Sequence, residues 1–113
     1  MSNAAQSLLP TLTSPPNALM RGGGGGSGSD GNTYASADLE SELSVAELAA
    51  FYYPQLEKAG WEKTAESQVE NVAWSAWKIT DNEGKAWVGT LLATSNPGTP
   101  ASRFVLLRVD RKP

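Results

Sequence analysis

Acidic side chains are the reactive groups that this chain offers in number. Asp38, Glu40 and Glu42 stand two residues apart, and Glu66 and Glu70 follow further on. Any two of them brought together would form the paired carboxylates of a glycosidase-like acid and base. Composition closes most other routes. With no histidine and no cysteine in 113 residues, no Ser-His-Asp triad, cysteine nucleophile or usual zinc or iron site can be assembled. The chain therefore reads as non-catalytic, with no cofactor and no metal expected. The period-two spacing of Asp38, Glu40 and Glu42 turns all three to one side of a strand, the arrangement of a solvated acidic face.

Gly22 to Gly26 are five consecutive glycines. A phosphate-cradling loop would need a Gly-Lys-Ser/Thr ending and a helix directly after it, and neither follows, so the run reads as a flexible linker or mobile loop. Ser29-Asp30-Gly31-Asn32 supplies calcium-ligand residue types without the spaced acids and terminal glutamate of a calcium loop.

The aromatic residues are the more informative set. Trp61, Trp74, Trp77 and Trp87 fall within 27 positions, and exposed indoles serve as interface anchors or as stacking platforms for sugars. Trp74 and Trp77 differ in parity. On one regular strand they point to opposite faces, so at least one leaves any helix-covered side. Tyr53, Trp74, Trp77 and Trp87 are the candidate interface or ligand contacts, with core packing the ordinary use of such residues.

Several elements must position these side chains. Thr33 onward alternates with period two: Ala35, Ala37, Leu39 and Leu43 on one side, Tyr34, Ser36, Asp38, Glu40 and Glu42 on the other. Ser44-Val45-Ala46-Glu47 is a capping box, and Leu43 with Leu48 a hydrophobic staple. Val45, Leu48, Tyr52, Leu56 and Ala59 make one apolar stripe, and Gly60-Trp61 supplies a C-terminal glycine followed by an apolar residue. One bent helix is predicted over 45–59, since the Pro54 ring removes a hydrogen bond to the Ala50 carbonyl and forces a kink or a break within it. Val72 to Thr80, Lys85 to Thr94 and Arg103 to Arg111 read as strands. Ala18 to Arg21 reads as a short strand, and Glu62 to Thr64 as a strand start followed by a loop through Glu66, Ser67 and Gln68. The expected fold is α+β, an antiparallel sheet of four to five strands with one amphipathic helix on one face, in the order β-β-α-β-β-β. Residues 1–17 are expected to be an extended arm, and 18–113 one domain with a glycine-rich loop at 22–32.

Phe51-Tyr52-Tyr53-Pro54-Gln55-Leu56-Glu57-Lys58-Ala59-Gly60-Trp61 resembles an FYxxxLxxxGW helix-to-strand junction of uncharacterised bacterial domains, many in envelope or secreted proteins. Leu9-Pro10 through Pro15-Pro16 looks like the proline-bearing entry that often precedes it. The resemblance implies an α+β accessory domain and an extracytoplasmic setting. It implies no reaction and carries no catalytic residues.

A formal net charge of -3 argues against a nucleic-acid partner, because Asp110 interrupts the one basic cluster, Arg108, Arg111 and Lys112. No apolar run reaches the roughly 20 residues of a membrane span. Met1-Ser2-Asn3-Ala4 resembles the scar of a removed purification tag, placing the native start near Ala5 or Gln6, where it would also suit a chain trimmed by signal peptidase. Two functions stay open. One is a protein-interaction or accessory module that uses the uncovered sheet face around Trp74 or Trp77 and an edge near Arg103 to Arg111, for self-association or for a protein partner. The other is a small-ligand or carbohydrate-binding domain with a groove between sheet and helix lined by Tyr52, Tyr53 and a tryptophan.

Overall fold

The computed structural model describes residues 10, 12–13, 15–16, 18–27, 33–81, 83–96, 98 and 101–111. The tag-like Met1 to Ala4, the calcium-type Ser29 to Asn32 and the basic Lys112 lie outside them. Among the described residues, strands β1 (Leu19–Ser27) and β2 (Thr33–Glu40) precede the helix α1 (Val45–Lys58). Strands β3 (Glu62–Val69), β4 (Val72–Thr80), β5 (Ala86–Ser95) and β6 (Ser102–Arg111) follow it. All six join one antiparallel sheet in the order β1-β2-β6-β5-β4-β3. The class and the order of elements are as expected, but the strands among the described residues number six, not four to five.

Two of those strands differ from their sequence reading. β3 continues through Glu66, Ser67 and Gln68, the expected loop, and all its residues are exposed. It is an outer strand, so no alternation of apolar residues was required to hold it. The glycine run, expected as a loop, lies inside β1, where Gly22 to Gly26 pair with Asp38 to Tyr34. Glycine has low strand propensity, so this pairing is imposed by β2. Arg21 is the extra residue of a bulge between Met20 and Gly22, and its guanidinium meets Glu40 with Nε 2.6 Å from Oε2. The expected edge near Arg103 to Arg111 is instead interior, since β6 pairs with β2 on one side and β5 on the other.

The helix is closed at both ends as its residues dictate. Ser44 Oγ accepts from the Glu47 N–H at 3.1 Å, and Glu47 Oε1 accepts from the Ser44 N–H at 3.0 Å. Hydrogen bonding to Ser44 holds the Glu47 carboxyl below the ordinary glutamate range. At the other end Gly60, at φ 94, donates to Glu57 O, and Trp61 donates to Leu56 O, the two bonds of a Schellman motif. The helix runs unbroken through Pro54. Pro54 and Ala50 are both exposed, which places the proline on the solvent side of the helix.

Val45, Leu48, Ala49, Tyr52 and Leu56 form the buried helix stripe. Beneath it the alternate residues Ala73, Ser75, Trp77 and Ile79 of β4, Trp87, Leu91 and Ala93 of β5, and Val105, Leu107 and Val109 of β6 are buried. Leu12 and Thr13, ahead of β1, join this layer. Leu12 packs on the core, and the Thr13 backbone exchanges two hydrogen bonds with the Gln55 side chain. Trp61, thrown back by the glycine turn, lies over Gly89, whose Cα partner on β4 is Trp77. A Cβ at 89 would overlap the Trp61 ring at Cζ3 and stand 2.8 Å from Cε3.

Asp81 closes the β4–β5 hairpin. Its Oδ1 accepts from the Glu83 and Lys85 N–H groups, its Oδ2 accepts from the Trp87 indole at 2.9 Å, and Gly84 takes φ 80. These bonds, the indole's first, hold the Asp81 carboxyl below its ordinary range.

Replacing glycine by alanine in a strand stabilises by about 0.4–1 kcal/mol where the space is open, but overpacking a core costs about 1–3 kcal/mol. Gly89→Ala is therefore expected to destabilise, seen as a lower urea midpoint; an unchanged or raised midpoint would contradict the packing of Trp61. For Asp81 the folded carboxyl binds its proton less tightly than the unfolded chain does. Its contribution is thus complete above the ordinary aspartate value of about 3.9 and lost as pH falls through the lower folded value. Asp81→Asn should lower thermal stability at neutral pH and make the acid-side decline shallower than in the parent; parallel curves would refute this.

Candidate functional site

The sheet has two unlike faces. α1 covers one, with Leu12 packed beside it, and the element contacts of α1 fall on β3, β4 and β5. Three of the four candidate contacts lie on that covered side. Trp77 is 1% exposed and its indole donates to Ser75 Oγ at 2.8 Å. Trp87 is 5% exposed and spends its indole N–H on Asp81. Tyr53 is half-buried at the margin, its ring 5.5 Å from that of Trp77 and its hydroxyl donating to Glu66 at 3.2 Å. Lys63 Nζ lies 4.3 Å from the centre of the Tyr53 ring and also donates to Glu66. Burial first, then the neighbouring Glu66 charge, raises the Tyr53 hydroxyl above the ordinary tyrosine range.

The groove between sheet and helix that a ligand would need is filled by these same rings. Tyr52 is buried, and Trp61 stands edge-on to Trp77 at 6.4 Å. This side is core.

Trp74 is on the other face. It is 38% exposed, and the register of the sheet surrounds it with apolar neighbours. Trp74 pairs with Leu92, and Leu92 with Leu106. In the next row Val72 pairs with Thr94, and Thr94 with Phe104. Val72, Leu92, Phe104 and Leu106 are each only half-buried, and Tyr34 and Val69 at the flanks are exposed at 44% and 65%. An antiparallel sheet with one face on a core ordinarily turns polar residues outward, and a contiguous apolar face on such a sheet marks a contact surface. Sequence reasoning set Trp74 and Trp77 on opposite faces by parity without deciding which is outward, and it missed Leu92, Phe104 and Leu106, although each occupies an outward position of a strand it had located.

The charges sit at the ends of this face. Asp38 and Glu70 are exposed near the Val72–Phe104 end, and Lys78 and Arg108 near the other, with Arg108 paired to Asp110 at 2.8 Å. Of the five acids considered for catalysis, Glu40 is bridged to Arg21 and Glu66 to Lys63. The β2 acids and the β3 acid Glu66 lie four strand positions apart. At about 4.8 Å per strand that is roughly 19 Å, twice the separation a glycosidase pair tolerates. Asp38 and Glu40 share the open face, but Glu40 is committed to its arginine. Among the described residues no group of three or more acidic side chains is placed to hold a metal ion. No helix among them is long and apolar enough to cross a membrane.

Compared with protein-family models, with curated proteins and with solved structures, the chain matches none.

The two faces predict opposite responses to truncation. Trp77→Ala should cost about 3–5 kcal/mol or abolish folding, whereas Trp74→Ala should change stability by under about 1 kcal/mol. Trp74→Ala should also remove most of the acrylamide-quenchable fluorescence of the native chain, because Trp61, Trp77 and Trp87 are buried. Quenching that survives the substitution would place another indole in water.

Proposed function

We propose that the chain is a non-catalytic interaction module, an accessory part of a bacterial protein, that binds protein through the helix-free face of its sheet. The row Trp74, Leu92 and Leu106, apolar and turned away from the core, is the observation that carries this reading. A tryptophan at the centre of a patch flanked by half-buried aliphatic residues and rimmed by charge matches the make-up of interface anchors, where large apolar side chains are desolvated together. The helix side supports the same reading by contrast, because its aromatic rings already hold one another and its indole donors are satisfied internally. The resemblance of the Phe51–Trp61 segment to bacterial envelope and secreted domains supports an extracytoplasmic setting.

A photoactivatable side chain placed at position 74 tests this. Illumination of cells that make the chain should yield discrete protein adducts from position 74 and none from position 57, which lies on the exposed side of α1. Absence of adducts from 74, or equal adducts from both positions, would refute the proposal.

A further inference from the structure

We infer that the open face is the contact of a symmetric dimer in which a second copy of this chain packs sheet against sheet with its strands antiparallel to those of the first. The inference rests on the reading of that face as an interaction surface and names its occupant. The pattern of large and small side chains along the strands carries it. On β4 the large Trp74 is followed on the same face by Ala76, and on β2 Tyr34 is followed by Ser36. The sheet aligns these positions in two adjacent rows. Trp74, Leu92, Leu106 and Ser36 make one, and Ala76, Thr90, Arg108 and Tyr34 the next.

A two-fold axis across the strands, between these two rows, keeps each strand over its own copy and exchanges the rows. Trp74 of one protomer then sits over Ala76 of its partner, and Tyr34 sits over Ser36, each contact made twice as an isologous interface requires. The same axis brings the Glu70 end of one copy over the Lys78 end of the other. The alternative axis, running along the strands, also seats Trp74 over a small residue, Ser36 of the same row, but it leaves the Glu70 end of one copy facing the Asp38 end of the other. Packed sheets lie about 10 Å apart with interleaved side chains, which suits a face of alternating large and small residues.

Five strands at about 4.8 Å and eight residues at about 3.4 Å give a face of roughly 20 by 27 Å, on the order of 550 Å² in projection, against the about 800 Å² per partner of a tight complex. The dimer is therefore reversible, with dissociation in the micromolar range rather than the nanomolar.

Sedimentation equilibrium of the purified chain from about 1 μM to about 1 mM, a span that brackets this affinity, should show monomer passing to dimer. Trp74→Ala, which removes the protrusion, and Ala76→Trp, which fills the recess, should each weaken the dimer by about tenfold or more. Both substitutions together exchange protrusion and recess, and should restore it. Far-UV circular dichroism and the melting temperature show whether each variant is folded. A wild-type monomer at every concentration, a dimer indifferent to both single substitutions, or a folded double variant that stays monomeric overturns the dimer. If the wild type is monomeric while position 74 still forms adducts with a different chain, the dimer fails and the interaction surface stands. If no adduct forms at all, both fail.

Discussion

The meeting of Trp61 with Gly89 is the contact on which the two-layer arrangement turns. α1 ends because Gly60 takes a left-handed backbone conformation, and that reversal throws the next residue back under the helix. The indole needs room there, and the sheet provides it at one position on β5 that has no side chain. Trp77, directly across from Gly89, then meets Trp61 edge-on and Tyr53 at a tilt. A local backbone preference, a missing Cβ and three aromatic rings thus fix where the helix sits on β3, β4 and β5. The first strand after the helix must start at that margin, which makes β3 the outer strand.

How much of this is legible without coordinates depends on whether the signal is local. The helix is legible at both ends because caps act within one turn: Ser44 with Glu47, and Gly60 with Trp61. Strands β4, β5 and β6 are legible because burial of one face imprints alternation. β3 carries no such imprint, since Glu62 to Val69 bury neither face and are held by backbone pairing to β4 and by the Thr64 hydroxyl donating to Ala76 O at a bulge. The glycine strand is illegible for a second reason, because its conformation comes from its neighbour and not from its own side chains. Pro54 is legible as a lost hydrogen bond, and one helix is kept through it. The loss of one helical hydrogen bond is tolerated on the exposed side of a helix whose two ends are capped.

The candidate face was legible in part. Opposite parity for Trp74 and Trp77 follows from strand geometry alone, but which of the two is buried depends on the side of the sheet that α1 crosses, a matter of tertiary handedness. Strand order was the deeper gap. β6 returns beside β2, a pairing across some seventy residues of sequence, and it makes Leu106 and Phe104 central where they would otherwise have lain at an edge. That single non-local pairing converts scattered outward residues into one surface, and it moves the arginines at the end of β6 from a rim into the interior of the sheet.

The two outer strands of the sheet guard against unwanted pairing by different means. β3 does so enthalpically, with charged side chains and a bulge that distorts its free side. β1 offers bare backbone instead. Gly22 to Gly26, already ordered by β2, have no side chains, so a foreign strand templating on them gains backbone hydrogen bonds but none of the cross-strand side-chain contacts that stabilise a sheet. A run without side chains, usually a defect in a strand, thus leaves this border of the sheet with little to offer an added chain.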